Sequence, residues 1–172
     1  MIYTIFYKGF FVFFLLLLSL NAEQVLAATQ TMSAHIAFDT VLSITNTSGI
    51  DFGSVKANQA GTYTVSSTGV VTATNSGVVL GGASKGGSLT IAGSTTQTID
   101  ITANNYVSNN GVTPSGVTCA YNGGAAAPCN LTSQAAPAAG KILLIGITVD
   151  VDGNQTVNTT ASPTFDIVVT YH

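Results

Sequence analysis

Few side chains in this chain could do chemistry, and the most informative are its two cysteines, Cys119 and Cys129. Nine residues separate them, neither histidine lies nearby, and the spacing is neither a redox dithiol nor a zinc-ligand pair. In an exported chain, an even cysteine count defaults to a disulfide. Closing a ring of this size is worth about 2–3 kcal/mol in the loop-entropy model, enough to pin the Gly- and Ala-rich residues 121–128. The pair is read as structural.

Other reactive groups are sparse. His35 and His172 are the only histidines, and beyond residue 27 the chain has no glutamate. A Ser/His/Asp relay would have to use His35, on the outward face of a strand pattern, so no reaction, cofactor or metal is assigned. Asp150-x-Asp152-Gly-Asn154 is a fragment of a calcium-loop pattern without its bidentate glutamate; Asp152-Gly153 reads instead as a hairpin turn folding residues 155–158 back. Asn46, Asn130, Asn154 and Asn158 stand in Asn-x-Ser/Thr sequons and are read as polar strand surface.

Composition sets the compartment. Residues 1–27 carry Lys8, then GFFVFFLLLLSL, then Val25-Leu26-Ala27. An apolar run of this length is too short to span a bilayer and is expected to be a signal peptide cleaved after Ala27, leaving 172 − 27 = 145 residues. Those residues hold Lys56, Lys85 and Lys141 against six aspartates and no arginine, a net charge of 3 − 6 = −3. Such a surface cannot neutralise a phosphate backbone, so nucleic acid is excluded as a partner, and anionic membrane surfaces are disfavoured. Only 6% of the chain is charged, against about 25% in ordinary soluble domains; Thr, Ser, Asn and Gly take the place of charge.

The elements follow from alternation. Residues 141–152, KILLIGITVDVD, are expected to be the central strand, with Leu143, Ile145, Ile147, Val149 and Val151 on one face and burial on both faces near its first half. Shorter, turn-bounded strands are expected at 40–45, 50–55, 62–66, 70–74, 78–80, 88–92 and 96–103, with Leu89, Ile91, Ile99 and Ile101 facing inward. Residues 104–116 read as a polar loop, 117–121 and 130–132 as strands flanking the disulfide ring, and 163–171 as the last strand. Phe165, Ile167, Val169 and Tyr171 share a face of that strand. Helical spacing is absent. Strands at this spacing make an all-β antiparallel sandwich.

The stretches LSITNTSGIDFGSV (42–55), Gly61-Thr62 with Val65, Ser66 and Gly69, GSLTIAG, LLIGITVDVDGNQT and FDIVVTY stand in one order along the chain. In that order they resemble the exported bacterial β-protein family catalogued as domain of unknown function 4402, and the resemblance spans nearly all of residues 28–172. Members are similar to pilin subunits of chaperone–usher fimbriae and to spore-coat U proteins. The resemblance implies an immunoglobulin-like sandwich lacking one strand, and Tyr171 matches the penultimate aromatic of the strand a periplasmic chaperone reads.

Ahead of the domain, residues 28–39 form a candidate arm with Met32, Ala34, Ile36 and Phe38 on one face. Ordering its seven central residues costs about 7–14 kcal/mol of backbone entropy. Burying Met32, Ile36 and Phe38 returns about 5–9. Pairing along one sheet edge adds about 1 kcal/mol per residue, and a slot between two strands about twice that. A slot is the better destination. It is either a groove beside Phe165, Ile167, Val169 and Tyr171 of the next copy, filled by strand complementation, or the domain's own sheet, completed by its own first strand.

The expected organisation is a signal peptide at 1–27, an arm at 28–39 and a sandwich at 40–172. The expected role is a non-enzymatic structural protein exported through the inner membrane to the periplasm, cell surface or exterior. As a pilin-like subunit it would associate with itself or other pilin subunits, with a periplasmic chaperone and usher, and would carry no membrane span after cleavage. The alternative is a monomeric adhesin or coat domain that presents residues 104–116 and the disulfide ring to carbohydrate or a host surface, with Tyr106 and Tyr121 as stacking platforms.

Overall fold

The computed structural model describes residues 29–172. The expected signal peptide at 1–27 lies outside the described residues, and no helix among those described is long and apolar enough to cross a membrane. The chain divides into two compact units, Met1–Ala37 and Phe38–His172. Of the first, residues 29–37 are described; they are exposed and form neither strand nor helix, with Met32 90% exposed.

The second unit is all-β and sandwich-like. Its strands are β1 (Ser43–Ser48), β2 (Ser54–Val55), β3 (Gly61–Val65), β4 (Val71–Thr74), β5 (Val79–Gly81), β6 (Gly87–Ala92), β7 (Ile99–Val107), β8 (Val112–Tyr121), β9 (Ala127–Pro128), β10 (Asn130–Gln134), β11 (Lys141–Val151) and β12 (Thr164–Tyr171). One sheet has seven strands and is organised on β11, another runs β10-β7-β12, and β2 and β5 form a short ribbon. All pairings between these strands are antiparallel.

The central strand is where the sequence puts it. β8 runs along one edge of β11 from Leu143 to Val151, while the other edge is shared, by β6 up to Ile145 and by β3 from Ile147 onward. Gly146 falls at the change of partner. A Cβ there would sit 2.8 Å from the Val65 carbonyl oxygen and 2.9 Å from the Ser67 nitrogen, so only glycine lets the end of β3 come this close. Leu143, Ile145, Ile147, Val149 and Val151 are buried in one core with Ile91, Ile99, Ile101, Tyr63 and Val65. The opposite face departs from expectation: Leu144 is half-buried and Ile142 is 52% exposed, because nothing among the described residues packs over that end of the sheet.

Several expected bounds move. The first strand begins at Ser43 rather than Thr40, and of 50–55 only Ser54–Val55 is strand. Residues 104–116 are not a loop. β7 extends to Val107 and β8 starts at Val112, leaving a turn in which Asn110 (φ 44°) and Gly111 (φ 67°) take the left-handed conformation that Asn and Gly accept most readily. Nor does Asp152-Gly153 fold 155–158 back as a strand. Gly153 has the expected positive φ of 84°, but β11 and β12 belong to different sheets, so residues 152–163 cross between them as irregular chain.

Candidate functional site

β12 is an edge. Among the described residues it pairs only with β7, so its other row of backbone N–H and C=O groups has no strand partner. The register fixes which way its side chains point, because directly opposed residues in an antiparallel pair share a face. Val169 stands opposite Ile101, and Tyr171 opposite Ile99; both isoleucines are fully buried. Phe165, Ile167, Val169 and Tyr171 therefore face the core, yet all four are only half-buried.

The same argument applies to β1. In β1, Ile44 pairs with the fully buried Ile91 and so faces the core, but it remains 42% exposed. Among the described residues β1 in turn pairs only with β6. At the Phe165 end of β12 lies a cavity of about 720 Å³. Ile50, Phe52 and Val55 line one side, Phe165 and the 157–163 crossing the other, and Val112, Ile147, Val149 and Val151 the floor. Its walls are mainly apolar.

Hydrogen bonds staple the crossing that forms one wall. Asp152 Oδ1 accepts from the Asn154 backbone N–H at 2.9 Å and from Gln155 Nε2 at 2.7 Å; Gln155 Nε2 also donates to the Asn110 carbonyl at 2.8 Å. The Ser162 N–H donates to Asn109 Oδ1 at 2.9 Å. The Asn154 and Gln155 donors, the Asn154 backbone first, hold the Asp152 carboxyl below the usual carboxylate range. A Cβ on Gly111 would collide with that carboxylate, which gives this glycine a second reason to be there.

At the far end of β12 a second network gathers around Ser94, the one buried polar residue among those described. Its hydroxyl donates to Asp39 Oδ2 at 2.7 Å and accepts from the backbone N–H groups of Thr96 and Gln97. Its own N–H donates to the Tyr171 hydroxyl at 2.7 Å, and that hydroxyl donates to the Thr40 carbonyl. Sequence reasoning missed this cluster. Ser94 looks like any turn serine, and nothing in the spacing ties it to Asp39.

The remaining sequence-derived positions separate clearly. Cys119 and Cys129 are bonded to each other and buried, linking β8 to the residue before β10. The cystine is buried, but the ring it closes is exposed from Asn122 to Ala126; Tyr121, buried with its hydroxyl donating to the Ala135 carbonyl at 3.1 Å, is no stacking platform. Tyr106 is half-exposed and stacks on Phe165 with ring centroids 6.3 Å apart. Met32, Ala34, Ile36 and Phe38 are all exposed and lie outside any strand. Gly82-Ala83-Ser84-Lys85-Gly86 matches the nucleophile-elbow spacing, but Ser84 donates to the Gly69 carbonyl at 2.7 Å and the chain runs on into β6 rather than into the helix such an elbow requires. No cluster of three or more metal-ligating side chains occurs among the described residues.

Comparisons with protein-family models, with curated proteins and with solved structures find no significant match.

Proposed function

We propose that this protein is an exported, non-enzymatic structural subunit of the bacterial surface, a pilin-like immunoglobulin-type sandwich short of one strand that assembles by strand complementation. The observation that carries this reading is the unpaired edge of β12 beside core-facing side chains that stay half-exposed. An edge with an apolar, concave flank is the site to which an added strand brings both main-chain hydrogen bonds and side-chain burial. The resemblance in motif order and the export-type N-terminus point the same way.

The arm has the matching form. Met32, Ala34, Ile36 and Phe38 repeat with the period of two that Phe165, Ile167, Val169 and Tyr171 require. Set antiparallel, Phe38 falls opposite Phe165, Ile36 opposite Ile167, Ala34 opposite Val169 and Met32 opposite Tyr171. The largest arm side chain then meets the 720 Å³ cavity. Head-to-tail exchange of this kind is heterologous and gives an open filament.

The test is light scattering on periplasmic protein before and after removal of residues 28–38. An oligomer ladder that resists SDS until boiled, and is lost on truncation, is the expected result. Oligomers unchanged by truncation would overturn the reading. The adhesin alternative keeps one supporting feature, the exposed Tyr106 ring on Phe165, a platform on which a sugar face could stack. A stable monomer that binds glycans through Tyr106 would favour it.

A further inference from the structure

The Ser94 network bears on which groove the arm can fill, and the inference rests on the reading just proposed. Asp39 and Thr40, where the arm joins the domain, are held at the Tyr171 end of β12: Asp39 by the Ser94 hydroxyl and Thr40 by the Tyr171 hydroxyl. Gly93 makes this possible. A Cβ there would lie 2.6 Å from the Tyr171 oxygen and 3.0 Å from Leu42 Cδ2. The deep cavity lies at the other end, by Phe165. Six residues of strand separate the two ends, about 20 Å.

That placement fixes direction. An arm rooted at the Tyr171 end and laid along its own β12 runs from Met32 near Phe165 to Phe38 near Tyr171, which is parallel to β12. To lie antiparallel in its own groove, Phe38 would have to reach the Phe165 end while the adjacent Asp39 stays about 20 Å away, and one peptide unit spans less than 4 Å. Parallel pairing is slightly less stable per residue, and it puts Met32, not Phe38, at the deep cavity. The arm of a second copy meets no such restriction.

We infer that the Asp39–Ser94–Tyr171 clamp is a polarity device: it denies the arm an antiparallel seat in its own domain, so that each groove is filled by the arm of a second copy.

The experiment gives the arm slack while leaving the clamp in place. Twelve Gly/Ser residues inserted between Phe38 and Asp39 reach about 17–21 Å, enough to turn the arm back. A tethered strand then competes at an effective concentration in the millimolar range against micromolar partners. The expected result is oligomers from the unmodified protein, and from the insertion variant a monomer with its arm protected from protease. An insertion variant that still polymerises like the unmodified chain at micromolar concentration overturns the clamp's role and leaves strand exchange intact. An unmodified chain that is monomeric with a protected arm overturns it too, since the arm then closes on its own domain despite the clamp.

A second variant tests the groove alone, with residues 31–38 deleted from the N-terminus and appended after His172 through an Asn-Gly turn, which sets Met32 opposite Tyr171. A monomer with a raised Tm is expected. If this variant gains no stability and the unmodified chain is a monomer with an unprotected arm, the proposed function itself fails, and the clamp's role with it.

Discussion

The phenolic oxygen of Tyr171 accepts a hydrogen bond from the backbone N–H of the fully buried Ser94 at 2.7 Å. The last strand is thereby tied to the turn after β6, and through the Ser94 hydroxyl to Asp39 at the root of the arm. A tyrosine that sequence alone makes an end-of-strand aromatic is a junction of three chain segments.

Tyr171→Phe is expected to cost about 1–3 kcal/mol, because it leaves the buried Ser94 N–H without an acceptor. Urea unfolding of the arm-deleted domain measures it free of assembly. Gly93→Ala should destabilise by a similar amount through overlap with the same oxygen.

Gly146→Ala should cost about 1–3 kcal/mol, since its methyl would press on the backbone at Val65 and Ser67, which cannot move without shifting β3. Gly116→Ala, on the neighbouring β8 with open space around it, is the control and should stay within about 0.5 kcal/mol of the parent. The contrast, read from urea midpoints, checks that β11 changes partner at Gly146.

Reducing the Cys119–Cys129 bond is expected to lower stability by about 2–3 kcal/mol, the value for a loop of 10 residues. Because both sulfurs are buried, mild reductant should act only as the domain opens. Urea titrations with and without reductant give the difference.

Stability should fall in acid through Asp152 and Asp100. Asp100 is held low first by the Ser133 N–H and then by His172, as Asp152 is by the Asn154 N–H. A carboxyl with a depressed folded-state pKa contributes stability above its unfolded value, about 3.9, and loses it as pH falls through the folded value. Asp152→Asn should therefore flatten the Tm-against-pH curve below about pH 4, with the residual slope due in part to Asp100.

The fold was legible where one face is buried and the other wet. The inward alternation of β11, the faces of β6 and β7 and the single face of β12 all follow from burial imposing a period of two on Leu, Ile and Val. What escaped were places where tertiary pairing overrides composition. Asn104, Asn105 and Thr113 read as loop residues, yet they lie in β7 and β8 because those strands have long partners in β12 and β11. Gly153 takes the positive φ its chemistry allows, but Asp152-Gly153 makes a bend rather than the expected hairpin turn, and no local signal says that β12 joins a different sheet. The groove was half legible: its β12 side chains were readable as a face, while its depth depends on Phe52, Val112 and Val151, distant in sequence. The clamp was not legible at all, since a hydrogen bond between Ser94 and Asp39 spans 55 positions and leaves no periodic trace.

The most direct test of the central claim, that the free edge of β12 receives a strand from a second copy, is amide hydrogen exchange across residues 164–171. It should be followed in the assembled protein and in the domain lacking residues 28–38. Edge-facing amides of β12 are expected to exchange rapidly in the truncated domain and to become protected on assembly, while those of β11 remain protected in both. Equal protection of β12 in the two samples would contradict the account.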